Sequence, residues 1–167
     1  TRDTELMFNE SHGPWYYEQV ALGFNYRLTE IHAALGKSQM ARLDSFVSKR
    51  NEIANKYDLF LKGLPVKSQR RPNNCYSSMH LYVIRLNLDE IEKSHLQVFN
   101  ELREDLLVNL HYIPVHFQPW YQKLGFRKGD FIESEQFYYE AISIPCYPDL
   151  SNEKLDYVFE KIANVIK

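Results

Sequence analysis

"LGFNYRLTEIHAALG", Leu22 to Gly36, sets an amide, a phenol and a guanidinium side by side just where a helical pattern begins. From Thr29 onward the apolar residues recur at helical intervals. Leu28, Ile31 and Leu35 form one stripe, Leu43, Phe46 and Val47 extend it, and Ile53, Tyr57, Phe60 and Leu61 carry it to Gly63 and Pro65. This periodicity predicts a long helix, bent near Ser48–Asn51 and stopped by the Gly and Pro. Ala33, Ala34, Gly36 and Ser38 make a patch of small side chains along it. A glycine within a helix costs about 1 kcal/mol relative to alanine, a cost that close approach of a second backbone would offset.

Beyond this arm the pattern changes. "KSQRRPNNCYSS" (Lys67 to Ser78) is polar and reads as a link. "MHLYVIRL" (Met79 to Leu86), rich in β-branched and aromatic residues, predicts a strand. Leu96, Phe99 and Leu102 step helically. Leu107 to Tyr112 predicts a second strand, with Pro114 marking its exit. Phe137 and Ala141 suggest a short helix before an extended Ser143–Pro145 segment. The last helix is the best specified: Ser151 is a candidate N-cap, Leu150 can staple onto Leu155, and Leu155, Val158, Phe159, Ile162 and Ile166 form its buried stripe. A helical arm followed by alternating strands and helices implies an α+β unit, a small sheet covered by helices.

The composition excludes several function classes. The 167 residues carry 20 basic and 22 acidic side chains, for a net charge of -2. There is no basic excess to track a nucleic-acid backbone. The longest apolar runs reach about half a dozen residues, against the roughly 20 that span a bilayer. Cys75 and Cys146 lack a CxxC or metal-ligand spacing and read as free thiols of a reducing cytosol. The first residue is Thr1, and "TRDTELMFNESHG" is polar and unpatterned, so the chain is expected to be a piece of a longer protein.

Three groups of residues could carry chemistry. A helix start near Thr29 offers unpaired N–H groups and roughly half a positive charge, which suits a phosphate. Asn25 can add an amide N–H, Tyr26 a phenol and Arg27 a bidentate cation, while Gly23 permits the turn before them. The knot is therefore either an anion clamp or a plain helix cap by Thr29 beside a solvated Arg27. In "LHYIPVH", His111, Tyr112 and His116 sit at the end of the second predicted strand. They either face a cleft and donate hydrogen bonds to a polyhydroxyl or phosphate ligand, or are bonded within the fold. The five-residue spacing of the histidines around Pro114 does not make a zinc pair, and no metal site is assigned. The aromatic groups Pro14–Tyr17 and Pro119–Tyr121 can stack on a ring or pack at an interface, and Phe137–Tyr139 is expected to pack in a core or interface.

Three segments together resemble the C-terminal part of a known family: "YYEQVALGFNYRLTEIHAALGKSQMARLD", "HYIPVHFQPWYQKLGF" and "EQFYYEAISIPCYPDLSNEKLDYV". They are similar to the DegT/DnrJ/EryC1/StrS nucleotide-sugar aminotransferases, pyridoxal phosphate enzymes of the aspartate-aminotransferase fold. The "PWYYEQ" and "HYIPVHFQPWYQKLGF" details look most like the subgroup that aminates C4 of a UDP-linked 6-deoxy-4-keto-N-acetylhexosamine. Its products feed pseudaminic acid synthesis for surface, flagellar or pilin glycans. The resemblance implies residues 1–27 as a loop from the end of the large domain and 28–66 as a long interdomain helix or helix pair. It makes 67–167 a small α+β domain with a mainly antiparallel sheet.

The resemblance also implies roles. Asn25 matches the asparagine that reaches across the homodimer to the cofactor phosphate of the neighbouring subunit. Tyr26 and Arg27 would face the active-site mouth, with Arg27 toward the phosphates of the sugar nucleotide. His111, Tyr112 and His116 match the strand end lining the sugar-nucleotide cleft. The implied whole is a cytoplasmic homodimer using L-glutamate and a UDP-sugar. The family's Schiff-base lysine lies upstream of the knot, whereas all eleven lysines here lie at or after Lys37. No catalytic residue is therefore assigned, and the chain alone is expected to be inactive. A dehydratase of the same family, with histidine in place of that lysine, and a non-catalytic dimerisation or binding module are the alternatives.

Overall fold

The computed structural model describes residues 1–11, 13–24, 26–72 and 74–166. The chain divides into two compact units, Thr1–Met40 and Ala41–Lys167. Among the described residues no helix is long and apolar enough to cross a membrane.

In the first unit a short 3-10 turn, Thr4–Leu6, is capped by the Asp3 carboxylate, which accepts from the amide of Glu5 at 3.1 Å. Later in this unit comes helix α1, Glu30–Met40. Thr29 caps α1: its hydroxyl accepts from the amide of His32 at 3.3 Å, and its carbonyl accepts from Ala33 at 2.9 Å. Glu18 organises the turn ahead of it. Its carboxylate accepts from the amides of Phe8 (2.7 Å) and Asn9 (2.9 Å) and from the Tyr16 hydroxyl (2.8 Å). The Phe8 amide leads these contacts in drawing the Glu18 carboxyl down to about 2. No described residue of this unit is buried within the chain.

The second unit begins with α2, Leu43–Phe60. The helical arm thus breaks at Ala41–Arg42, not at Ser48–Asn51 where the sequence suggested a bend. β1 (Val66–Ser68), β2 (Tyr82–Leu86) and β3 (Ala141–Ile144) form an antiparallel sheet in the order β1-β2-β3. Val66 pairs with Leu86, and Tyr82 with Ile144. Between β2 and β3 lie α3 (His95–Asp105), α4 (Pro119–Lys123) and α5 (Ile132–Glu140), and α6 (Asn152–Ile166) closes the chain. The α+β class with a small antiparallel sheet is therefore observed.

The alternation in β2 sorts the two faces of the sheet. Tyr82, Ile84 and Leu86 are buried among α2, α3 and α6 through Tyr57, Val98, Leu102, Leu155, Val158 and Ile162. The ring of Tyr57 meets that of Tyr82 at 4.8 Å with the planes tilted by 35°, and Phe159 stacks on Phe60 at 4.2 Å. On the other face Arg85 meets α5, with its guanidinium 2.8 Å from Glu140 and over the ring of Phe137. Covered on both sides, β3 is buried at all four positions. Arg50 on α2 ties the sheet ends together, donating to the carbonyls of His80 (3.0 Å), Met79 (3.4 Å) and Cys146 (2.5 Å).

Two expectations fail locally. Leu107–Tyr112 is not a strand: only Asn109 bridges to Ser143, and Leu107 is almost fully exposed. The side chain of Asn109 accepts from the amide of Leu110 at 2.9 Å, a local bond that competes with ladder pairing. At the start of the link, Lys67 and Ser68 join Val66 in β1 because β2 offers them an open edge. Cys75 is exposed and Cys146 buried, both as free thiols.

Candidate functional site

The first unit carries the GFNYR knot. Gly23 is followed by Phe24, whose ring stacks on Tyr26 at 5.2 Å with the planes 15° apart. Tyr26 is 86% exposed, and Arg27 is exposed beside it. Neither side-chain head group has a partner among the described residues, so the phenol and guanidinium stand free to meet a ligand. An open cleft of about 650 Å³ is lined by Tyr17, Glu18, Gly23, Phe24, Tyr26 and Arg27. Asn25, on which the clamp was centred, lies outside the described residues.

The second unit carries the His-Tyr segment. His111 is half-buried, with Nδ1 2.8 Å from the hydroxyl of the buried Ser143 on β3. Its ring meets Tyr112 edge-on at 4.6 Å, and Tyr112 is itself 72% exposed, its hydroxyl without a partner among the described residues. His116 behaves differently. Only 6% exposed, it donates from Nε2 to Oε1 of Glu135 on α5 at 2.8 Å. The same oxygen accepts the amide of Gly129 at 2.7 Å. Burial pushes the Glu135 carboxyl upward, but the bonds from His116, Gly129 and Phe131 outweigh it and hold it below the usual range. The ring of His116 packs at 4.5 Å from Phe117 and 4.9 Å from Phe131. Beside it Val115, Tyr121, Phe126, Phe131 and Ser134 complete an apolar cup of about 310 Å³.

Across the two units the expected residues fall into two kinds. Tyr26, Arg27 and Tyr112 present free polar groups at the surface, whereas His111 and His116 are engaged inside the fold. The two histidines go to different partners, Ser143 and Glu135, and share no coordination geometry. Sequence reasoning missed both partners. Glu135 carried a signal: it is the one acid in the stripe Phe131, Glu135, Tyr138, spaced by four and three residues along a helix. Ser143 carried none.

Against known proteins, the DegT/DnrJ/EryC1/StrS aminotransferase family model matches residues 5–163. The chain belongs to that family. Among curated relatives of this DegT/DnrJ/EryC1/StrS member is the spore coat polysaccharide biosynthesis protein SpsC of Bacillus subtilis. It is 30% identical over 161 residues, covering 94% of this chain and 41% of SpsC. A UDP-4-amino-4,6-dideoxy-N-acetyl-beta-L-altrosamine transaminase of Campylobacter jejuni is 31% identical over 155 residues, 92% of this chain and 41% of that protein. Helicobacter pylori PseC, an aminotransferase of pseudaminic acid biosynthesis, superposes with a TM-score of 0.80 at 27% identity, covering 98% of this chain and 43% of its own. The PLP form of the sugar aminotransferase Spr1654 of Streptococcus pneumoniae gives 0.79 at 28% identity over 90% of this chain and 39% of that one. The chain spans about two fifths of the length of the relatives it matches.

Proposed function

We propose that this chain is the C-terminal part of a pyridoxal phosphate aminotransferase. The intact protein would move an amino group from L-glutamate to the C4 ketone of a UDP-linked 6-deoxy-4-keto-N-acetylhexosamine, for surface or flagellar glycans. In this reading it works in the cytoplasm as a homodimer. The family match supports the reaction class, and the altrosamine transaminases among the relatives support the substrate. The single observation that carries the site is the pair of free head groups, Tyr26 and Arg27, ahead of the capped start of α1.

The residues present fit one end of the cofactor. Donors beside a helix start suit a phosphate, and Asn25 is the proposed partner for that group in the neighbouring subunit. Arg27 is the proposed partner for the sugar nucleotide's diphosphate, which its planar fork can meet with two bonds. In the first unit Tyr26 is a proposed phenol donor to the substrate, and in the second Tyr112 and His111, the latter held by its Ser143 anchor, are proposed substrate contacts. His116 serves that surface from behind, through the segment it fixes. The carbonyl end of the cofactor needs an amine, which in the family lies upstream of the knot in sequence, whereas every lysine of this chain lies at or after Lys37. When bound, the cofactor withdraws electron density from the carbon whose proton moves. This chain's own contribution is to bind and orient phosphates.

The test is to express the intact reading frame that encodes this chain and supply pyridoxal phosphate, L-glutamate and the UDP-linked 4-keto sugar. A product with an amine in place of the ketone oxygen is expected. A sugar deoxygenated at C3, or a cofactor-loaded enzyme that leaves the ketone untouched, overturns the reading. The 167-residue chain alone should develop no lysine-adduct absorbance with pyridoxal phosphate.

A further inference from the structure

From Val115 to Phe131 the second unit makes an excursion away from the sheet. It contains α4, exposed aromatic and apolar residues that include Trp120 and Leu124, and glycines with positive φ at Gly125 (+106°) and Gly129 (+99°). Within the segment Arg127 donates to the carbonyls of Gln122 and Phe126. Across it, one atom bonds to both ends. Oε1 of Glu135 receives Nε2–H of His116 at the entry, 2.8 Å away, and N–H of Gly129 at the exit, 2.7 Å away. The positive φ of Gly129 is what a residue with a Cβ would resist, so glycine permits the backbone course at that end. Both acid and imidazole are nearly excluded from water, where a charge-assisted hydrogen bond is strong and its loss leaves a buried polar group unpaired. Tyr112 and the buried Pro114 lie immediately before the entry.

We infer that Glu135 is a positioning residue. It closes the 116–129 excursion like a clasp and so sets the placement of the surface that meets the sugar nucleotide, without itself touching that ligand. The link to the ligand rests on the function proposed above, whereas the clasp is a property of the fold. Glu135 thereby acts on substrate binding through His116 and not on the chemical step.

The inference is tested with two variants and two readouts on the intact protein. Glu135→Gln keeps the shape and a carbonyl acceptor but removes the charge, and Glu135→Ala removes the acceptor altogether. By hydrogen exchange, the Gly129 amide is expected to exchange about tenfold faster or more in Glu135→Ala, with Glu135→Gln in between. The amides of β2 and α6 should keep their protection. In steady-state kinetics KM for the UDP-linked 4-keto sugar should rise about tenfold while kcat changes by less than about threefold. Unchanged exchange at Gly129 overturns the clasp. Uniform acceleration that includes β2 and α6 also overturns it, because Glu135 would then be only part of the core. Faster exchange with an unmoved KM overturns the positioning role. A wild-type enzyme inactive on that sugar overturns the proposed function instead, and exchange at Gly129 still decides the clasp.

Discussion

The hydroxyl of Tyr57 donates to the carbonyl of Pro145 at 2.7 Å, joining α2 to the end of β3 across 88 residues of sequence. Tyr57 is fully buried, and burial pushes its phenol well above the ordinary range, so it stays a donor at any working pH. Tyr57→Phe removes the donor and leaves a carbonyl short of a partner, which should cost about 1 to 3 kcal/mol. Tyr57→Ala also empties space beside Tyr82 and Phe159 and should cost about 3 to 5 kcal/mol. Urea unfolding of the two variants checks the order. Equal losses would mean that the hydroxyl decides the effect and the ring does not.

The capping box on α3 gives a smaller, local effect. Ser94 accepts the amide of Gln97 at 3.3 Å, and Gln97 accepts the amide of Ser94 at 2.8 Å. Ser94→Ala should lower stability by about 1 kcal/mol. Ser94→Gly should lower it by only a few tenths, because glycine leaves the cap position open to water. Thermal unfolding of both variants decides.

Glu18 makes the first unit sensitive to acid. Its folded carboxyl sits at about 2, below an unfolded value of about 4.3. The stabilisation is therefore complete above the unfolded value and is lost as pH falls through about 2. Amide chemical shifts of Phe8 and Asn9 should titrate together in that window. A midpoint near that of an ordinary glutamate would show that the Phe8 and Asn9 amides do not hold the charge.

Arg27 tests the knot directly. In the intact enzyme Arg27→Ala should raise KM for the sugar nucleotide by about tenfold or more, the loss of a hydrogen bond to a charged group. Arg27→Lys should restore little of it, since an ammonium cannot reproduce a two-bond fork. Titration with UDP alone separates the effect on the nucleotide from that on the sugar. Unchanged UDP affinity in both variants would place the guanidinium away from the phosphates.

How much was legible in the sequence depends on where each element draws its stability. α6 was readable because Ser151 and the spacing Leu155, Val158, Ile162, Ile166 specify it locally. β2 was readable from its β-branched and aromatic run. The break at Ala41–Arg42 was hidden because Leu43, Phe46 and Val47 continue the stripe across it without Gly or Pro. β1 was hidden for the opposite reason: Val66, Lys67 and Ser68 have little strand pattern of their own and are strands only because Leu86, Arg85 and Ile84 lie opposite. At the candidate site the exposed groups were identified by residue type. The engagement of His116 was not, because Glu135 is 19 residues away in sequence.

The sheet also carries a defence that none of its residues advertises singly. A strand margin with free N–H and C=O groups is a template on which other chains can stack. Here the outer margin of β3 is occupied at its centre by Asn109, which exchanges two backbone bonds with Ser143 at 2.7 and 3.1 Å. The opposite margin, β1, is only three residues long and runs on into Gln69, Arg70, Arg71 and Pro72, two cations and a residue that cannot donate. Both margins of this sheet thus offer little backbone for another chain to pair with, and a variant that lengthened β1 with apolar residues would offer more.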